Sequence, residues 1–155
     1  MINKHWSRWI AASCRKHFNT LRQGVTLHVE GDDRSTADTT EHAEFRIDGP
    51  DIKNPSHGYY IFDVAINILV KANMNSENVD NMVVISGIIQ AAFTETIDVF
   101  KFGNGVDDDQ TLLGCLRLRS DDQGSVLYNN FGQIDEDSRL TQATIEGRYR
   151  MELTA

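Results

Sequence analysis

Five histidines and 23 acidic residues are the side chains of this chain that could bind a metal ion. No two histidines stand four residues apart, the spacing that places two imidazoles on one face of a helix. Asp107, Asp108 and Asp109 begin like a calcium-binding loop, but the sixth position holds no glycine and Leu118 occupies the place of the bidentate acid. The sequence therefore predicts no metal site, and no motif in it implies a cofactor.

The two cysteines, Cys14 and Cys115, are the candidate nucleophiles. Neither has an identifiable base nearby in the sequence, and a nucleophilic thiol needs such a base or another source of a lowered pKa. The pattern predicts two buried, reduced thiols and no enzyme. The alternative is a small enzyme whose site is assembled from the dispersed residues His28, His57 and Asp63, and a concave pocket of ionisable side chains would favour it.

Charge is distributed unevenly along the 155 residues, whose total is −8. Residues 1–22 contain five basic and no acidic side chains, so the remainder holds ten basic and 23 acidic ones, a net charge of −13. A body of that charge would repel nucleic-acid phosphates, so the first segment alone could bind them. No run approaches the roughly 18 apolar residues of a membrane span, and we expect a soluble protein.

The elements that would position these residues follow from hydrophobic periodicity. Residues 3–22 place apolar side chains at spacings of three and four, which predicts an amphipathic helix that Gly24 ends. Core packing is the expected role of its stripe, and a partner groove for Trp6 and Trp9 is the alternative. We expect its basic side to contact a protein and not DNA.

Strands are predicted where the period changes to two. Short alternating runs begin at Val25 and Ala43, on either side of a polar segment, residues 31–41, that we expect to become ordered only on assembly. A turn-rich stretch, Gly49–Gly58, precedes a long alternating strand from Tyr60 to Ala72. Further strands are predicted towards the C-terminus, at Ile97–Phe102, Leu112–Leu118 and a closing strand around Ile145–Leu153.

A second helix is predicted over Glu77–Phe93, with Asn75 or Ser76 as its cap. Its apolar residues extend well past one face, so this helix is either sandwiched against the sheet or covered by another subunit. We expect Val84 and Ile88 to contact a neighbouring subunit. The whole chain, 1–155, is predicted to be one α+β domain, a mostly antiparallel sheet packed by an N-terminal amphipathic helix and a second apolar helix.

Three segments, in their order along the chain, resemble the tail terminator proteins of long-tailed bacteriophages. They are YYIFDVAINILVKAN at 59–73, ENVDNMVVISGIIQAAF at 77–93 and the charged closing strand IEGRYRMEL at 145–153. Together with the first helix they span most of the chain. The resemblance lies in the chain length, the order of helices and strands and the general residue pattern of these segments. Related neck and tube proteins share much of this pattern.

The resemblance implies a structural virion protein that forms a ring, usually of six copies, at the head-proximal end of a phage tail. Such a ring caps the tail tube and joins it to the neck, after assembly in the host cytoplasm. Its implied partners are further copies of itself, the tail tube protein, the neck or stopper protein and, in a contractile tail, the sheath protein. The alternatives are a connector or tube-like virion subunit and a nucleic-acid-binding module that uses the basic first helix.

In such a ring DNA is only a passing cargo, and acidic channel walls would repel its phosphates. Solvated outer loops are the alternative role for the acidic runs. The candidate channel-facing acids are Asp107, Asp108, Asp109, Asp135, Glu136 and Asp137.

Overall fold

The computed structural model describes residues 3–29, 42–73, 81–103, 111–119, 126–133 and 140–154. In this part of the chain two α-helices pack on a mostly antiparallel sheet, which confirms the predicted α+β class. A short 3₁₀ turn, Asn19–Gln23, follows the first helix. The elements are α1 (Trp6–Phe18), β1 (Leu27–Val29), β2 (His42–Ser56), β3 (Tyr59–Asn73), α2 (Asn81–Ala92), β4 (Thr96–Lys101), β5 (Thr111–Leu118), β6 (Val126–Gln133) and β7 (Leu140–Thr154).

The sheet is organised around β7. Its strand order is β1-β2-β3-β7-β5-β4, and β6 also pairs with β7. One edge of β7 pairs with β3 along its whole length, from Tyr59 opposite Thr154 to Asn73 opposite Leu140. Its other edge is shared, since β6 pairs with its first half and β5 pairs near its end, where Arg117 lies opposite Arg150. All pairings are antiparallel except that of β1 with β2.

The alternation predicted for β3 gives the sheet two different faces. Its even-numbered residues from Tyr60 to Ala72 are buried among the side chains of the helices. Its odd-numbered residues, Asp63 and Asn67 among them, lie on the opposite face, which we call the open face. Side chains of β7 alternate in the same way, with Ile145 and Tyr149 buried and Arg148 and Arg150 on the open face.

Aromatic rings join the helices to the sheet. The ring of Phe18 at the end of α1 lies 5.2 Å from that of Phe45 and 5.0 Å from that of Phe93, between centroids. Phe93 packs so closely on the backbone of β7 that a Cβ at Gly147 would overlap its ring. The buried hydrophobic residues of the described chain form one cluster, consistent with a single core.

The structure departs from the predicted turn at Gly49–Gly58. β2 continues through this stretch to Ser56, and only His57 and Gly58 form the turn to β3. A bulge between Asp48 and Asp51 accommodates Gly49, at φ 105°, and Pro50. Among the described strands, β1 covers β2 only as far as Phe45, so this part of β2 lies at an edge of the described sheet, where proline is tolerated.

Other departures are smaller. α1 ends at Phe18, and the 3₁₀ turn that follows it ends at Gly24. β6 was not singled out by the sequence pattern. Residues 31–41 and the proposed cap at Asn75 or Ser76 lie outside the described residues.

Candidate functional site

The two tryptophans named as a possible partner surface are buried in the chain's own core. Trp6 packs with its ring centroid 5.5 Å from that of Phe62, and the indole N–H of Trp9 donates to the carbonyl oxygen of Phe102 at 3.1 Å. Both rings therefore hold α1 against the sheet. Their predicted role in core packing agrees with the structure, and a partner interface at Trp6 and Trp9 is not supported.

Two basic side chains of α1 also contact their own chain. The Arg8 guanidinium donates to the carbonyl oxygens of Phe102 and Gly103, at 3.1 and 3.4 Å. The ammonium of Lys16 lies 4.4 Å from the centroid of the Phe100 ring. Arg8 and Lys16 thus contact residues at the end of β4, although the sequence alone suggested that the basic side of α1 contacts another protein.

The outer side of α2 is apolar and faces solvent. Val83, Val84 and Ile88 are 65%, 56% and 40% exposed, whereas Ile85 and Ile89 are buried over β3 and β7. Val84 and Ile88 are one helical turn apart and share one side of the helix. The two positions named from the sequence thus lie outside the core, where a neighbouring subunit could cover them.

Aromatic residues of β6 extend the exposed apolar area of the chain. Phe131 is the extra residue of a bulge between Asn130 and Gly132, and it is 63% exposed. Gly132 takes φ 73° there, and its N–H donates to the Asn130 side-chain oxygen at 2.9 Å. Tyr128, also exposed, lies opposite Ile145 and so points to the face of the sheet that carries α2.

The open face carries an arginine cluster that sequence reasoning missed. Arg117 lies directly opposite Arg150, and the N–H of Arg119 donates to the carbonyl oxygen of Arg148 at 2.8 Å, which continues the register. Two successive pairs of arginines therefore meet across the β5–β7 seam, and these four residues are the arginine cluster. The sequence does show arginines at alternate positions of two strands, 117 and 119 in one segment and 148 and 150 in the other. Only the pairing of β5 with β7 brings the four side chains together.

Asp63 is the main acidic partner of this cluster. Its carboxylate accepts from Arg150 Nε at 2.8 Å and Nη2 at 3.2 Å, and lies 3.2 Å from Lys53 Nζ and 3.9 Å from Arg119 Nη1. Burial alone would raise the pKa of Asp63, but the hydrogen bonds and charges of Arg150 and Lys53 outweigh it and hold this pKa below its usual value. The same ion pair raises the pKa of Arg150.

Two clefts flank the cluster on the open face. One, of about 460 Å³, is lined by ionisable residues that include Lys53, Asp63 and Arg148. The other, of about 550 Å³, runs along the β5–β7 seam and combines three arginines and Glu152 with apolar side chains. A general acid or base works best with a pKa near the working pH, and the shift at Asp63 is away from neutrality. Clefts lined by ionisable side chains, which the enzyme alternative called for, are thus present, and the acid in the first of them, Asp63, is engaged in ion pairs.

The three residues of the enzyme alternative are not brought together. His28 is on β1, and its ring centroid lies 5.3 Å from that of His42, at the start of β2. His57 is in the turn at the far end of β2. His28 lies opposite Glu44, and the extended strand from Glu44 to His57 spans roughly 43 Å at about 3.3 Å per residue. Asp63 is held by the arginine cluster instead.

The cysteines are free thiols, Cys14 buried and Cys115 half-buried. Burial raises the pKa of Cys14 to about 12, so this thiol is not a reactive thiolate. Within the described residues, no group of three or more histidine, cysteine or acidic side chains could hold a metal ion. The candidate channel-facing acids, Asp107–Asp109 and Asp135–Asp137, lie outside the described part of the chain.

Neither described helix combines the length and apolar character needed to cross a membrane. Comparison of the sequence with protein-family models and with curated proteins found no match.

Proposed function

We propose that this chain is a structural protein that assembles with further copies of itself into a ring. The observation that carries the proposal is the outer side of α2, where Val83, Val84 and Ile88 are all exposed. Contiguous apolar surface on a folded protein marks an interaction site more often than it marks an ordinary surface.

The exposed apolar residues are distributed in a way that suits a head-to-tail contact. α2 offers one patch, and Phe131 of β6 and Leu112 of β5 offer apolar side chains on other elements. A contact between two different surfaces of identical chains generates a closed ring when the rotation between copies closes. In a two-fold symmetric dimer the same contact would occur twice, once in each direction, and assembly would stop at two copies.

The specific role that we propose is that of a phage tail terminator, a ring that caps the tail tube at its head-proximal end and joins it to the neck. Its partners would be the tail tube protein, the neck or stopper protein and, in a contractile tail, the sheath protein. The proposal is supported by the resemblance of the segments quoted above and by an order of helices and strands that fits it. The ion-paired state of Asp63 and the separation of His28 from His57 favour it over an enzyme.

The proposal is tested by measuring the mass and shape of the purified protein. Light scattering after size-exclusion chromatography and negative-stain imaging should give a closed ring of about six copies. Val84→Asp should shift the protein to monomers with an unchanged circular dichroism spectrum. Ser56→Asp is the control, because Ser56 is an exposed polar residue on a different element, at the end of β2, and it should leave the ring intact.

The possible failures of this test have different meanings. A monomeric wild-type protein at every concentration tested would contradict the proposed ring. Intact rings of the Val84→Asp variant would place the interface elsewhere on the chain. An unfolded Val84→Asp variant would mean that this exposed position is needed for the core, contrary to its 56% exposure.

A further inference from the structure

We propose that the arginine cluster is a docking site for carboxylates of a second copy of this chain. The inference rests on the proposed ring, because it names one contact that would hold neighbouring copies together. It is carried by the pairing of Arg117 with Arg150 and of Arg119 with Arg148 on one face of the sheet.

The first argument is that this pairing is unfavourable in the isolated subunit. Directly opposite side chains on one face of an antiparallel pair have Cβ atoms about 4.5–5.5 Å apart, and like charges at that distance repel. Two such pairs follow one another along the seam. Asp63 is shared among Arg150, Arg119 and Lys53, and Glu146 pairs with Arg148 at 3.2 Å, so two carboxylates balance four positive charges and Arg117 adds a fifth. An added anion would relieve the remaining repulsion.

The second argument is the shape and lining of the seam cleft. Arg117, Arg119 and Arg150 line this space of about 550 Å³ together with a single acid, Glu152. The rest of its lining is largely apolar and includes Leu118 and Met151. Arg117 and Arg148 are exposed, and Arg119 and Arg150 are half-buried, so an incoming group can reach the guanidinium groups. A loop that presents carboxylates beside aliphatic side chains matches this lining.

The third argument identifies the charged group as a carboxylate. Asp63 already occupies the two-pronged position on the Arg150 guanidinium, at 2.8 and 3.2 Å, so the geometry for this group is present in the chain. A duplex would bring its phosphates close to Asp63, Glu146 and Glu152 and to a chain with a net charge of −8.

The fourth argument identifies the source as a second copy. Copies that each carry −8 repel one another at long range, so a stable contact between them needs local complementary charge. The arginine cluster supplies the positive side. The chain itself supplies acidic runs for the other side, at 107–109, 121–122 and 135–137.

The test begins with charge reversal at the seam. The double variant Arg117→Glu/Arg119→Glu should assemble roughly tenfold more weakly than the wild type, because attraction between copies becomes repulsion. Its monomer should unfold close to the wild-type temperature, because the carboxylate introduced at position 117 would face Arg150 with opposite charge and the change at position 119 removes only the 3.9 Å contact of Arg119 with Asp63. Arg46→Glu, an exposed change on β2 outside the seam cleft, is the control and should leave assembly unchanged.

A charge swap identifies the docking group. Lysine substitutions in each acidic run, 107–109, 121–122 and 135–137, are made separately, and each variant is mixed with the arginine-reversal variant. Recovery of mixed assemblies with one of these runs, where neither variant assembles alone, would support the proposal and identify the run. If none of the three lysine variants restores mixed assembly, the proposal that a second copy of the chain supplies the carboxylates is overturned.

Three further outcomes separate this inference from the proposed ring. A wild-type protein that never assembles contradicts the ring and the docking site together. Rings that persist unchanged after reversal of Arg117 and Arg119 overturn the docking site alone. Salt-sensitive binding of the wild type to duplex DNA, lost in the reversal variant, would assign the cluster to nucleic acid and overturn the carboxylate proposal.

Discussion

Asp63 shows how a single side chain can define a charged surface. It accepts two hydrogen bonds from Arg150 and lies close to Lys53 and Arg119, so it joins β2, β3 and the segment following β5 to β7. The Asp63 carboxylate is only slightly exposed, and its ion pairs therefore contribute more to stability than those at a fully solvated site. Asp63 could be named from the sequence, but only as a candidate for catalysis, because its partners lie on other strands.

We predict that Asp63→Asn lowers the free energy of unfolding by about 1 kcal/mol at neutral pH, since three cations lose their shared counterion. The folded-state pKa of Asp63 is depressed, so its stabilising effect is present above the unfolded pKa of about 3.9 and is lost as the pH falls through the lower folded pKa. Urea unfolding measured from pH 7 down to pH 2 should show the two proteins converging in acid. Asp48→Asn, at a more exposed ion pair with Arg46, is the control and should change stability by less than about 0.5 kcal/mol. A difference between wild type and Asp63→Asn that persists at pH 2 would contradict this prediction.

At the scale of elements, patterns within one strand were predictable and pairings between strands were not. Strict alternation in β3 and β7 identified both strands. β6 was missed because Asn129 and Asn130 interrupt its pattern and its aromatic residues face solvent. The extension of β2 was missed because Pro50 and Gly49 indicate a turn unless a bulge on an edge strand accommodates them.

Two glycines allow the same substitution to be compared at an exposed and at a buried position. Gly87 lies on the exposed side of α2, and Gly147 lies on β7 beneath Phe93. Gly87→Ala should raise the free energy of unfolding by about 0.5–1 kcal/mol, because alanine favours the helix and a Cβ there meets nothing within 4 Å. Gly147→Ala should lower it by about 1–3 kcal/mol, because the added methyl overlaps the Phe93 ring. Chemical denaturation followed by tryptophan fluorescence measures both changes. Equal effects of the two substitutions would contradict the described packing of α2 on β7.

At the scale of the whole molecule, both helices and the sheet contribute to one hydrophobic cluster. β7 contacts β3, β5, β6 and α2, so local loosening of this strand would disturb every layer. The class and the order of the described helices and strands other than β6 could be read from the sequence, since they depend on local periodicity. The open-face arginine cluster could not, because it depends on which strands flank β7.

We predict that the subunit unfolds in one cooperative transition because it has one core. Calorimetry of a monomeric variant such as Val84→Asp should give a calorimetric enthalpy equal to the van't Hoff enthalpy. Fluorescence of the tryptophans on α1 and far-ultraviolet circular dichroism of the sheet should change at the same temperature. Two separated transitions would indicate that α1 and the sheet are independent units.

The bulged edge of β2 has a consequence for how copies can add to one another. A bare strand edge is a template on which identical chains stack without limit into fibres. Pro50 and Pro55 lack the N–H that such stacking requires, and the bulge interrupts the straight run of the edge. Growth of an assembly by strand addition is therefore disfavoured along this part of β2. Copies that meet through the side chains of α2 and the seam can instead stop at a fixed number.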